Sequence, residues 1–223
     1  MKKHNRHLLR QLGVVLVTAA MMLSIAACGQ GSTFDASGYV DATMKTVTTG
    51  DTSALDAYSK EAVTDLADTY ADELQDVLES MAGDTELSKD VQEKYKELLT
   101  LLMGAISYSV GEAKELTEGS VPGYEVPLTI KPLQLNVQDK LTEWVNTLET
   151  DEKALNDMNA LYEKLYGEVA ELLKNAIAEG KYGEEKTFII NVTKNKDGLY
   201  EINEDDMEKA MESSFTTDLD TLS

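Results

Sequence analysis

Apolar residues recur every three or four positions through most of the first hundred residues, which is the spacing of helices that bury one face. Ser37 is in place to cap a helix carrying Val40, Met44 and Val47, and Gly50 is its stop. A short helical turn through Leu55 and Tyr58 leads to a second cap at Ser59. Val63, Leu66, Ala67, Tyr70, Leu74, Val77, Leu78 and Met81 then trace one stripe that Gly83 ends. Ser88 caps a further helix, with Val91, Tyr95, Leu98, Leu99 and Leu102 on its apolar face and Gly104 at its end.

Past Gly104 the period drops to two. Ile106, Tyr108 and Val110 alternate with small or polar residues, and Tyr124, Val126, Leu128 and Ile130 do so again after a loop containing Gly119, Pro122 and Gly123. These runs predict an antiparallel hairpin. Pro127 has no amide to donate, so its place is a sheet edge or a bulge, and Pro132 closes the strand region. Asn136, with Asp139 three residues on, predicts the next helix start, and Leu141, Trp144, Val145 and Leu148 fall on one face. After a polar break at Thr150-Asp151, Leu155, Met158, Tyr162, Leu165, Val169, Leu172 and Ala176 form a heptad seam. The seam suits packing against the N-terminal helices better than a coiled coil with a partner, because it is short and contains a tyrosine and an alanine. Gly180 and Gly183 end this helix, Phe188, Ile190 and Val192 begin a strand, and Asp197-Gly198 marks a tight turn to a returning strand at Leu199–Ile202. Asn203 caps a last helix bearing Met207, Met211 and Phe215, after which an acidic tail frays. The pattern as a whole predicts an α+β fold in which a helical N-terminal half packs with a small antiparallel sheet, made of two hairpins separated by a long helix.

One apolar run does not belong to this domain. Lys2, Lys3, Arg6 and Arg10 precede 14 apolar or small residues, Leu12 to Ile25, and Ala26-Ala27-Cys28-Gly29 follow. Positive charge, greasy segment, small residues and cysteine, in that order, resemble the signal peptide and lipobox of a bacterial lipoprotein. The resemblance implies that residues 1–27 are cleaved, that Cys28 becomes the new N-terminus carrying a diacylglyceryl group, and that residues 28–33 form a short linker. Two acyl chains give a stable anchor, at ~0.8 kcal/mol per buried methylene. A conventional secretory signal cut after Ser24-Ile25-Ala26 would leave Cys28 an idle thiol. A retained membrane helix over Leu8 to Ala27 would have to bury Arg10.

Removing residues 1–27 changes the charge picture. The segment holds four of the 20 basic residues, none of the 41 acidic ones and both histidines, His4 and His7. What remains carries 41 acidic against 16 basic residues, a formal charge of −25, and no thiol besides Cys28. Such a chain repels nucleic acid and anionic lipid. Solubility explains the charge without further assumption, and binding of cations or of a cationic partner is the alternative. Residues 34–223 read as one α+β domain, 190 residues long, with no internal linker.

A second resemblance lies in this domain. Phe34-Asp35-Ala36-Ser37-Gly38-Tyr39-Val40, directly after the linker, and the Lys194 to Ile202 turn, Lys-Asn-Lys-Asp-Gly-Leu-Tyr-Glu-Ile, look like segments of a group of uncharacterised lipoproteins of Gram-positive bacteria. That resemblance implies a lipid-anchored protein on the extracellular face of the cell membrane, and it implies no activity. The order of helices and strand pairs is distantly similar to cone-shaped nuclear-transport-factor-like domains, from which the long helix between the hairpins departs.

The residues exclude more chemistry than they suggest. Without histidine or a free thiol, the chain from Cys28 onward can build neither Ser-His-Asp nor Cys-His catalysis, nor a His or Cys zinc site. Ser59-Lys60 and Ser88-Lys89 stand at helix starts, where capping accounts for the serines. No phosphate-cradling glycine motif occurs. Paired carboxylates such as Asp205 and Asp206 could serve a hydrolase, but with 41 acids on the chain they read as a solvated face. A calcium loop would use Asn195, Asp197 and Glu204, yet Thr193 stands where that loop needs aspartate. Trp144 and the tyrosines could line a sugar or peptide groove, but Tyr70, Tyr95, Trp144 and Tyr162 all fall on apolar stripes. The sequence therefore predicts a membrane-anchored, non-enzymatic binding or interaction module with no cofactor, lipidated at Cys28 and open to a protein partner in the cell envelope. The alternatives are a carboxylate hydrolase of the envelope and an accessory lipoprotein of a transporter.

Overall fold

The computed structural model describes residues 34–58, 88–116, 122–148 and 158–218. Cys28, the predicted 59–83 helix and the Thr150-Asp151 break lie outside them. The elements are α1 (Ala36–Thr49), a 3-10 turn (Thr52–Ala57), α2 (Lys89–Gly104), β1 (Ser107–Val110), β2 (Lys114–Leu116), β3 (Gly123–Lys131), β4 (Leu133–Leu135), α3 (Gln138–Leu148), α4 (Met158–Glu179), β5 (Lys186–Lys194), β6 (Tyr200–Ile202), α5 (Glu204–Glu212) and β7 (Phe215–Thr217).

The two predicted hairpins meet in one antiparallel sheet. β3 pairs with β5 over eight residues, from Gly123↔Thr193 to Ile130↔Lys186, β6 continues the sheet beyond β5, and β1 and β2 both lie along the other side of β3. Alternation decides which face is buried. Val126, Leu128 and Ile130 of β3, with Ile190 and Val192 of β5, point to one side and are fully buried there. Tyr39, Val40, Met44 and Val47 of α1 and Met207, Ala210 and Met211 of α5 complete this core. A second cluster joins Val91, Tyr95, Leu98, Leu99 and Leu102 of α2 to Leu172 and Ala176 of α4 and to Leu133 and Leu135 of β4. The C-terminal part of the heptad seam thus packs within the chain.

Helix ends follow their residues in most places. Gly50 adopts φ 71° and ends α1, Ser88 caps α2 by accepting from the Val91 amide, Gly180 adopts φ 61° after α4, and Asn203 caps α5 through the Asp206 amide. Asp35, not Ser37, caps α1, its side chain accepting from the Gly38 amide at 2.8 Å. Ser37 lies inside the helix and performs a different task. Pro127 is not on an edge, since β3 has neighbours on both sides, but opposite a bulge. Val110 pairs with Leu128 and Lys114 with Glu125, so Gly111, Glu112 and Ala113 oppose only two residues. The Gly111 amide donates to the Pro127 carbonyl at 2.7 Å, and proline has no amide with which to reciprocate. The Ser37 hydroxyl supplies that hydrogen, donating to the Gly111 carbonyl at 2.8 Å while accepting from the Ala113 amide at 2.8 Å.

Four further expectations change. α3 begins at Gln138, and the carboxylate of Asp218, not Asn136, receives the amides of Val137 and Gln138 at 2.9 and 3.1 Å. Val145 is 40% exposed, so it leaves the face that holds half-buried Leu141. Phe215 is not on the last helix and the chain after it does not fray at once: Phe215–Thr217 pairs in parallel with Leu133–Leu135. The pairing is stabilised because Phe215 packs against both core clusters. The 195–199 turn also differs from a two-residue one. Gly198 accepts a positive φ, 83°, while Asp197 keeps a negative one, and Gly198 N–H to Asn195 O at 3.1 Å closes a four-residue turn.

Candidate functional site

The sequence singles out Cys28, which lies outside the described residues. Within them, two segments distant in sequence converge: the Phe34–Val40 run, which opens α1, and the Lys194–Ile202 turn, which joins β5 to β6. The Phe34 ring lies flat on Tyr200, centroids 4.0 Å apart and planes 11° from parallel. Tyr39 and Tyr58 meet it edge-on at 5.7 and 6.2 Å, and Tyr124 of β3 is tilted against it at 6.0 Å. Lys194 places its ammonium 5.4 Å from the centroid of the Tyr200 ring. No helical or strand period links these rings, so only their shared aromatic character and the two short motifs hinted at the cluster.

Beside the rings lies a shallow depression of about 430 Å³, bordered by Phe34, Asp35, Ser37, Glu112, Glu115 and Tyr124. Its position follows from the fold. Asp35 must sit there to cap α1, Glu112 belongs to the bulge, and Glu115 and Tyr124 are paired across β2 and β3. The phenols are not poised for proton transfer at neutral pH. Burial pushes Tyr58 up to about 12, with Asp35 and Asp41 adding to it, and burial first and then contact with Tyr200 raises Tyr124. Burial, and after it the charge of Glu201, raises Tyr39 as well. The corner therefore offers ring faces, uncharged hydroxyls and carboxylates.

A second depression of about 490 Å³ lies between the start of α2 and the middle of α4. Asp90, Lys94, Lys164, Glu168 and Glu171 border it, a mixture of charges with no convergent set.

The other sequence candidates have structural tasks. Asp206 accepts from the backbone amide and the side-chain amide of Asn191 at 3.2 and 2.7 Å, tying α5 to β5, while Asp205 is exposed. Asn195 takes the amides of Asp197 and Leu199 on its side-chain oxygen and donates to Glu201 at 2.5 Å, so its polar groups serve the turn and not an ion. Glu204 opens α5, and among the described residues no three histidine, cysteine or carboxylate groups converge as a metal site would require. Ser88 is occupied as a cap. Tyr95 is core, Trp144 is half-buried on α3, and Tyr70 and the side chain of Tyr162 lie outside what is described. Among the described residues no helix is long and apolar enough to cross a membrane.

No protein-family profile matches the chain, and no curated protein does. A solved structure that aligns with it is the crystal structure of a "putative lipoprotein" (ycdA) from Bacillus subtilis, with a TM-score of 0.40 and 16% identity. The alignment covers 68% of this chain and 47% of that one, so this chain spans about half the length of that protein.

Proposed function

We propose that the protein is a lipid-anchored interaction module of the extracytoplasmic membrane face, held through a diacylglyceryl group on Cys28 and devoid of catalytic activity. The observation that carries the reading is the order Lys/Arg cluster, apolar run, Ile25-Ala26-Ala27-Cys28. Phe34, the first described residue, is already packed into the fold and lies six residues after Cys28, a spacing that suits a short tether. Non-enzymatic function is supported by the chemistry that remains from Cys28 onward: no histidine, no second thiol, and buried phenols that stay protonated. Mass spectrometry of the N-terminal peptide from isolated membranes tests the anchor. A mature chain beginning at Cys28 with a diacylglyceryl mass addition is expected. A free thiol at Cys28, or a terminus elsewhere, refutes it.

A further inference from the structure

The fold treats the four residues nearest the tether unusually firmly. Phe34 is stacked on Tyr200 and ringed by Tyr39, Tyr58 and Tyr124. Asp35 is held by the Gly38 amide through its side chain and by the Tyr58 hydroxyl, at 3.5 Å, through its carbonyl. Ala36 is 1% exposed. Ser37 is bonded to both sides of the bulge, at Gly111 and Ala113. First residues of a domain are ordinarily loose unless tied down, and here Phe34, Asp35 and Ser37 are tied to other elements while Ala36 is buried between them. A pull on the chain before Phe34 is therefore resisted at Phe34 itself, and no slack is added from the domain side.

We infer that Phe34–Ser37 is a clamp that fixes where the tether leaves the domain, so that the corner bearing Glu112, Glu115 and Tyr124 stays nearer the membrane than the Lys131–Lys186 end of the sheet. The inference rests on the lipid-anchor reading. Six residues from Cys28 to Phe34 reach at most ~22 Å, which bounds how far that corner can rise from the leaflet. Along β3, Tyr124 and Ile130 are six residues apart, and strands rise ~3.3 Å per residue, so the two ends of the sheet differ by ~20 Å. Glu115 pairs with Tyr124 and Lys186 with Ile130, and both are exposed, so they report on opposite ends.

The test uses the full acylated protein on phosphatidylcholine vesicles containing phosphatidylglycerol. Glu115→Cys and Lys186→Cys each provide one thiol for a donor fluorophore, since the thiol of acylated Cys28 is blocked, and the acceptors sit on lipid headgroups. Energy transfer several-fold higher from position 115 than from position 186 is expected, and Phe34→Ala with Ser37→Ala should narrow the gap. A Gly-Ser extension between Thr33 and Phe34, which leaves the folded residues unchanged, should narrow it too. Equal transfer from both positions on vesicle-bound protein overturns the clamp. Protein that carries a free Cys28 and does not float with the vesicles overturns the anchor reading, and the clamp's orienting role with it.

Discussion

Ser37→Ala isolates the most specific claim of the fold, that a helix hydroxyl replaces the hydrogen bond a central proline cannot make. The substitution removes a donor from the Gly111 carbonyl and an acceptor from the Ala113 amide, both at 2.8 Å. Each such bond contributes about 1 kcal/mol net, and Ser37 and Ala113 are only partly buried, so water recovers a share. A loss of about 1–2 kcal/mol is expected, a fall of roughly 3–6 °C in the melting temperature of a domain this size. Size alone does not establish the mechanism, because losing any helix contact could cost as much. The decisive measurement is a double-mutant cycle with Pro127→Ala in urea unfolding of the chain from residue 28. Pro127→Ala restores a backbone amide that can serve the Gly111 carbonyl, so Ser37→Ala should cost roughly 0.5–1 kcal/mol less in that background than in the parent. An identical cost in both backgrounds refutes the link: the serine would then matter for reasons unconnected with proline.

Asp218→Ala should destabilise the protein by about 1 kcal/mol, since the carboxylate accepts the amides of Val137 and Gln138 at the start of α3, and hydrogen exchange at those amides should rise most. Unchanged exchange there would show that the cap is idle. Gly123→Ala would place a Cβ 2.8 Å from the Val192 carbonyl, so the β3–β5 pair must spread and about 1–3 kcal/mol is lost; a neutral result in urea would mean the strands part freely. Glu179 is held at about 2 by its hydrogen bond to Lys181 first and then by Lys140. A depressed carboxylate contributes stability that is complete above the ordinary range near ~4.3 and is lost as pH falls toward 2. Glu179→Gln should therefore flatten part of the stability curve between pH 5 and 2 and leave the curve above pH 6 unchanged in slope.

The parts legible in the sequence were those decided within a few residues. Gly50, Ser88, Gly180, Gly198 and Asn203 act where local backbone chemistry placed them, because positive φ and capping are properties of a residue and its next three neighbours. The alternation through Val126, Leu128 and Ile130 named the buried face of β3 in the same way. Pro127 was half legible: its missing donor required an edge or a bulge, but which of the two depends on whether a strand lies beyond it. Ser37 and Asn136 misled for different reasons. Asp35, two residues earlier, is an equally good local cap and takes the amide of Gly38, whereas the distant Asp218 serves the start of α3 because the tertiary arrangement brings its carboxylate to the amides of Val137 and Gln138. The rings around Phe34 gave no periodic signal, since contacts between residues 34, 124 and 200 leave no spacing to read.

By itself the sequence determined the acidity, the absence of histidine and of a second thiol from Cys28 onward, and the succession of helical and extended segments, all of which are matters of composition or of short period. Only the tertiary structure decided that the two hairpins of the predicted sheet join through β3 and β5, that Phe215 enters a strand beside Leu133, and that Phe34 is locked onto Tyr200. Those outcomes depend on which apolar faces can be buried together, and a side chain's partner across the core is set by the packing of the whole chain and not by its neighbours in sequence.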